Sequence, residues 1–138
     1  MLALLRSRRW IPKLRKGVAK GMCYSETLFQ DPILDEARQM LYGHFDFNAL
    51  QINRYDPKRW PGSDTHQDQG NRGESRMLVL GDFEGGAFLM FEKGVDHPPR
   101  KISQRYQWIA FNGHIHHGSD PVTAGTRFSV IAFTFDDR

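Results

Sequence analysis

Thr65-His66-Gln67-Asp68 holds a histidine and an aspartate two residues apart, with loop-forming Pro61-Gly62 before it and Gly70 after it. On an extended segment side chains alternate faces, so His66 and Asp68 point to the same side. One imidazole and one carboxylate together make two-thirds of a 2-His-1-carboxylate set, the donor arrangement that leaves open positions on Fe(II). By itself H-x-D is a short pattern that a surface turn also produces. A second segment gives it weight: His117-Gly118-Ser119-Asp120-Pro121-Val122 runs into Gly125-Thr126-Arg127-Phe128-Ser129 and a β-rich end. A later histidine can complete the metal set. An arginine ten residues beyond His117 can grip a carboxylate.

Working outward, the segments around this pair read as short strands. Phe45 to Tyr55 alternates Leu50, Ile52 and Arg54 on one face with Gln51, Asn53 and Tyr55 on the other. Ser75–Leu80, Gly85–Phe91, Arg105–Asn112 and Thr126–Phe135 follow, the last with Arg127, Ser129, Ile131 and Phe133 on one face. Paired Gly85 and Gly86 mark a bulge or a close backbone approach. Lys93 to Lys101 reads as a surface connection containing an exposed His97. Gln69–Gly73 reads as a polar, flexible loop beyond the carboxylate. Ahead of the strands, Asp31-Pro32 caps a helix whose apolar face is Ile33, Leu34, Ala37, Met40 and Leu41, ended by Gly43. About seven strands after a short N-terminal helical region predict a mainly β fold, a double-stranded β-helix or jelly roll.

The chain has 138 residues, enough for one domain. Its single cysteine, Cys23, excludes an internal disulfide and points to an intracellular, reducing compartment, nuclear in a eukaryote. No apolar run approaches the ~18–20 residues that cross a membrane. Charge is uneven. Against a formal net charge of +3, residues 1–20 carry seven cations (Arg6, Arg8, Arg9, Lys13, Arg15, Lys16 and Lys20) and no acid, which leaves the rest at −4. Residues 1–24 are therefore expected to form a basic extension, either a contact to phosphate backbone, a transit segment or a solvated leader. Residues 25–138 are expected to form the jelly-roll domain.

Three histidines crowd residues 114–117. On an extended segment His114 and His116 share one face, and Ile115 and His117 the other, so spacing leaves His116 and His117 both open as the distal ligand.

The region from Asn53 to Phe135 resembles the Fe(II)/2-oxoglutarate dioxygenases. Within them it is most similar to the TET/JBP group, which oxidises the 5-methyl group of pyrimidines in nucleic acid. The matching stretches are LQINRYDP, THQD, NRGESRMLVLGDFEGGAF, WIAFNG and HHGSDPVTAGTRFSVIAFTF. The group's pattern places Phe-(Asp/Asn)-Gly before the distal histidine, then Pro-(Phe/Val), then Gly-Thr-Arg-(Phe/Tyr)-Ser. That register implies His66, Asp68 and His117 as Fe(II) ligands and Arg127 on the distal carboxylate of 2-oxoglutarate. It further implies Ser129 beside Arg127, with Asn53 and Tyr55 as the Asn-x-Tyr that contacts the co-substrate.

The resemblance implies hydroxylation of 5-methylcytosine or thymine in DNA, with molecular oxygen consumed. A base in a duplex must then be flipped out. The leader, Arg72 and Arg76 are candidates for the backbone, and Trp60, Tyr24 and Phe88 for the base. The acidic body favours a different substrate, a protein side chain or small molecule. A jelly-roll binding module without turnover is the third reading.

Overall fold

The computed structural model describes residues 1–7, 22–26, 32–58 and 61–135. Among these, eleven strands and two helices form a mainly β, wholly antiparallel architecture. The helices are α1 (Leu2–Ser7) and α2 (Pro32–Leu41). The strands are β1 (Met22–Glu26), β2 (Ala49–Tyr55), β3 (Ser63–His66), β4 (Ser75–Leu80), β5 (Phe83–Gly85), β6 (Phe88–Met90), β7 (Arg100–Ile102), β8 (Trp108–Phe111), β9 (His117–Ser119), β10 (Val122–Gly125) and β11 (Arg127–Phe133). A five-stranded sheet runs β1-β2-β11-β4-β8, a four-stranded sheet β3-β9-β6-β7, and β10 pairs with β5.

The large sheet buries both faces, against different partners. Its outer face contributes Leu50, Ile52, Leu78, Leu80, Phe128, Val130 and Ala132, packed on Leu5 of α1 and Ile33, Leu34, Ala37 and Leu41 of α2. Its inner face contributes Met77, Val79 and Phe111, packed on Phe88, Met90 and Ile102 of the four-stranded sheet. Period-2 alternation produces this division: Leu78 and Leu80 turn to the helices, Met77 and Val79 to the second sheet.

The helix ends as its sequence dictates. Gly43 takes φ +76°, and His44 N–H returns to the Leu41 carbonyl at 2.9 Å. Met40, expected on the apolar face, is 49% exposed in the last turn. The Asp31 cap lies outside the described residues. So does most of the basic leader, but the described parts of residues 1–24 belong to the fold. Leu5 is fully buried, and the boundary at residue 24 falls inside β1, which pairs with β2 from Met22↔Arg54 to Glu26↔Leu50.

The strand count exceeds the sequence reading because continuous stretches break. Gly85 and Gly86 take φ +71° and +66°, dividing Gly85–Phe91 between β5 and β6, which lie in different sheets. Tyr106 at φ +60° delays β8 to Trp108; its N–H bonds to the Val79 carbonyl at 2.8 Å, holding it there. The Lys93–Lys101 connection gives its end to β7. The Gln69–Gly73 loop is pinned, with Arg72 N–H on the Thr134 carbonyl at 2.8 Å.

Candidate metal and carboxylate site

β3 and β9 pair so that His66 stands directly opposite His117. Their rings approach edge to face with centroids 4.4 Å apart. Asp68 completes the group: one carboxylate oxygen lies 3.0 Å from His117 Nε2 and the other 3.8 Å from His66 Nε2. One donor atom from each of the three residues falls within 4.8 Å of the others, close enough for a single ion. Among the described residues this is the one His/Asp/Glu/Cys group so disposed.

Asp68 does not reach His66 by strand alternation alone. β3 stops at His66, and Asp68 is placed by its own N–H bonding to the Gly113 carbonyl at 2.7 Å. Gly113 has no side chain where one would intrude. A Cβ built there would stand 3.3 Å from both the Asp68 Cβ and a carboxylate oxygen.

Both imidazoles are oriented by the backbone. His66 Nδ1 lies 2.8 Å from the Asp64 carbonyl oxygen and His117 Nδ1 2.7 Å from that of Ile115. A carbonyl accepts only from N–H, so each Nδ1 is the donor, and each Nε2 is the ring nitrogen turned toward Asp68 and the cluster. Phe88 and Phe111 pack against the His117 ring with centroids at 5.7 and 5.4 Å, and His117 is 3% exposed. His66 and Asp68 are half-buried, so the cluster opens on one side. His114 is exposed, with its Nε2 2.5 Å from the Asn71 carbonyl oxygen, outside the cluster. Spacing left His116 and His117 open; the structure brings His117 to His66 and Asp68.

A second group lies deeper. Arg127 is 1% exposed on β11, opposite Tyr55 of β2, with its guanidinium carbon 4.8 Å from the Tyr55 ring centroid. One step along, Ser129 faces Asn53, and Asn53 Nδ2 donates to Ser129 Oγ at 3.0 Å. All four side chains are buried. Arg127 Nη1 donates to Ser119 Oγ at 3.2 Å, whereas its Nε is buried with no hydrogen-bond partner. No carboxylate among the described residues pairs with it. Burial lowers its pKa from the usual guanidinium value, opposed by electrostatic attraction and a side-chain hydrogen bond to Tyr55, with Arg105 adding to the fall. A guanidinium remains charged in proteins. A buried cation with no carboxylate partner among the described residues and an orphaned N–H is suited to an anionic ligand.

Ser119 went unnoticed in the sequence reading. The same two-residue rule that linked His66 to Asp68 places it on the His117 face of β9. The nucleic-acid candidates fare differently. Arg72 is exposed beyond Asp68. Arg76 turns to the outer face, over the Phe45 ring at 4.5 Å, away from the cluster. Phe88 is 4% exposed and forms a wall of the site, not a surface that could receive a base. Trp60 and the Tyr24 side chain lie outside the described residues.

No protein-family model and no curated protein matches the chain. Solved structures do. An oxidoreductase of the 2OG-Fe(II) oxygenase family from Burkholderia pseudomallei aligns over 95% of this chain and 75% of its own, with TM-score 0.67 and 20% identity. A Pseudomonas putida prolyl-4-hydroxylase aligns over 88% of this chain and 72% of its own, with TM-score 0.61 and 18% identity. NgTET1 in complex with 5mC DNA aligns over 65% of this chain, with TM-score 0.55 and 19% identity, and this chain spans 34% of its length. What these similarities establish is the architecture: the chain has the fold of the 2OG-Fe(II) oxygenases.

Proposed function

We propose that this protein is an Fe(II)- and 2-oxoglutarate-dependent dioxygenase, its two sheets forming a double-stranded β-helix around the site. The observation that carries the reading is a His-Asp-His cluster together with a buried Arg127 that bonds to Ser119, two residues along β9 from His117. Two neutral imidazoles and one carboxylate suit Fe(II) and leave positions for other ligands. The orphaned Arg127 Nε suits a carboxylate. When bound, iron and 2-oxoglutarate supply the oxidative decarboxylation of the co-substrate by dioxygen, to succinate and carbon dioxide, coupled to hydroxylation of a C–H bond.

The chain's own residues supply binding, orientation and exclusion of water. His66, Asp68 and His117 hold the metal, and the Asp64 and Ile115 carbonyls keep both imidazoles in the ligating tautomer. Arg127 neutralises the distal carboxylate of the co-substrate. Ser129, Asn53 and Tyr55 flank Arg127 on β11 and β2, and the Ser129 hydroxyl, accepting from Asn53, retains its own proton to give. Phe88 and Phe111 keep water from the protected side of His117.

For the substrate, our reading is the 5-methyl group of a pyrimidine in DNA. It is supported by the TET/JBP-like motifs from Asn53 to Phe135 and by the fold shared with a TET protein solved on 5mC DNA. A second reading, hydroxylation of a protein side chain or small molecule, is favoured by the longer alignment with a prolyl hydroxylase and by the acidic body of the chain. Anaerobic loading with Fe(II) and 2-oxoglutarate, then air with 5-methylcytosine oligonucleotides or proline-containing peptides, separates them by mass spectrometry. Gain of one oxygen on the base supports the first reading, and gain on the peptide supports the second. Absence of succinate in the presence of every substrate, even with metal bound, would reject the dioxygenase assignment.

A further inference from the structure

We propose that Ser119 sets the chain length of the dicarboxylate accepted by this site, by holding Arg127 one strand step from the metal ligand His117. The inference rests on the reading of the site as a metal and 2-oxo-acid centre. Ser119 and His117 are the two ends of β9, on one face, 7% and 3% exposed. A two-residue step along a strand spans roughly 6.6 Å. That step is matched to a short dicarboxylate with one end at the metal and the other at a guanidinium.

The hydrogen bond from Arg127 Nη1 to Ser119 Oγ crosses from β11 to the four-stranded sheet. It therefore ties the carboxylate anchor to the strand that carries His117. β9 is itself held on both sides: Ser119 faces Ser63 of β3 and Phe88 of β6. The Arg127 stem is confined as well. A Cβ on Gly86 would stand 3.2 Å from Arg127 Cδ and 2.8 Å from a Val122 methyl, so that space is already filled. The stem is thus confined beside Gly86, and the head is tied to Ser119. The Ser119 oxygen accepts from Arg127, which leaves its own proton available to a ligand carboxylate.

The test measures binding of 2-oxoglutarate, of the one-carbon-longer 2-oxoadipate and of the one-carbon-shorter oxaloacetate to the full chain loaded with Mn(II), by calorimetry without dioxygen. Wild type, Ser119→Ala and Ser119→Thr are compared, each with its metal affinity measured beforehand. Losing a hydrogen bond to a charged group should weaken 2-oxoglutarate binding about tenfold in Ser119→Ala. Its preference over 2-oxoadipate should shrink while metal affinity holds. Ser119→Thr, which keeps the hydroxyl, should restore both. An alanine variant with wild-type affinity and preference overturns the proposal. So does uniform loss for all three acids with the preference unchanged, or loss of the metal itself. If wild type binds Mn(II) but none of the acids, the co-substrate reading falls and the length selection with it.

Discussion

His66 and His117 are cross-strand partners, opposite each other in the β3–β9 ladder with ring centroids 4.4 Å apart. The two imidazoles are thus positioned by backbone pairing between segments about fifty residues apart in sequence. Their Nδ1 atoms are spent on carbonyls and their Nε2 atoms face Asp68. Replacing His117 with alanine should lower metal affinity by more than about 100-fold, beyond what losing a supporting partner costs. His114→Ala and His116→Ala should leave it unchanged. Calorimetric titration with Mn(II) reads the difference, and metal loss in His116→Ala alone would place the ligand one residue earlier.

Gly113 offers a gentler perturbation of the same centre. Its carbonyl holds the Asp68 N–H, and a Cβ at this position would press on the Asp68 carboxylate and on Asn71 Nδ2, each at 3.3 Å. The carboxylate must give way by a few tenths of an ångström in Gly113→Ala. Metal affinity should fall about tenfold, in the range seen when ligand support is disturbed. The melting temperature of the metal-free protein should change little. A variant with undiminished metal affinity would show that Asp68 has room to adapt.

Arg127 allows stability and binding to be separated. Its charge is buried without a counter-ion among the described residues, a cost the ligand-free protein bears. Arg127→Met keeps the bulk and removes the charge, so the ligand-free melting temperature should hold or rise by a few degrees. The thermal protection that wild type gains from 2-oxoglutarate with Mn(II) should disappear. Equal protection in both proteins would remove Arg127 from the co-substrate site. A large fall in ligand-free stability would make it a structural residue.

These sites differ in how far the sequence revealed them. β4 was readable to the residue, Ser75–Leu80, because the four-residue apolar run Met77–Leu80, bounded by polar and turn residues, has few alternatives as a buried strand. Asn53, Tyr55, Arg127 and Ser129 fell together because period-2 alternation on two adjacent strands puts all four on one face. Asp68 comes beside His66 and His117 for a partly different reason, since β3 ends before it and a hydrogen bond to Gly113 does the placing. That contact links positions 45 residues apart and leaves no local signature. Tyr106 is similar: an ordinary strand residue by composition, it is held at positive φ by β4. The inner-face positions of Arg127 and Ser119 were implicit in alternation, but the bond between them depends on which sheet β9 joins, and that is a property of the whole topology.

The basic leader is a candidate contact to the DNA backbone, and the structure changes how it should be tested. Deleting residues 1–20 would also remove Leu5, which is fully buried against α2 and the large sheet, so weaker binding could follow from a damaged core. Neutralising Arg8, Arg9, Lys13, Arg15, Lys16 and Lys20 to glutamine leaves Leu5 in place. If these side chains lie along the phosphate backbone, affinity for a 5-methylcytosine duplex should fall, and its dependence on salt should flatten. Each lost contact should remove about 0.9 from the slope of log affinity against log salt. Binding of Mn(II) and 2-oxoglutarate should be unaffected, because every residue assigned to them lies at or beyond Asn53. A variant with wild-type affinity and slope would take the leader out of the nucleic-acid surface and leave exposed Arg72, beside the cluster, as the next candidate. Intact protein with no salt-sensitive binding to any duplex would favour the protein or small-molecule substrate instead.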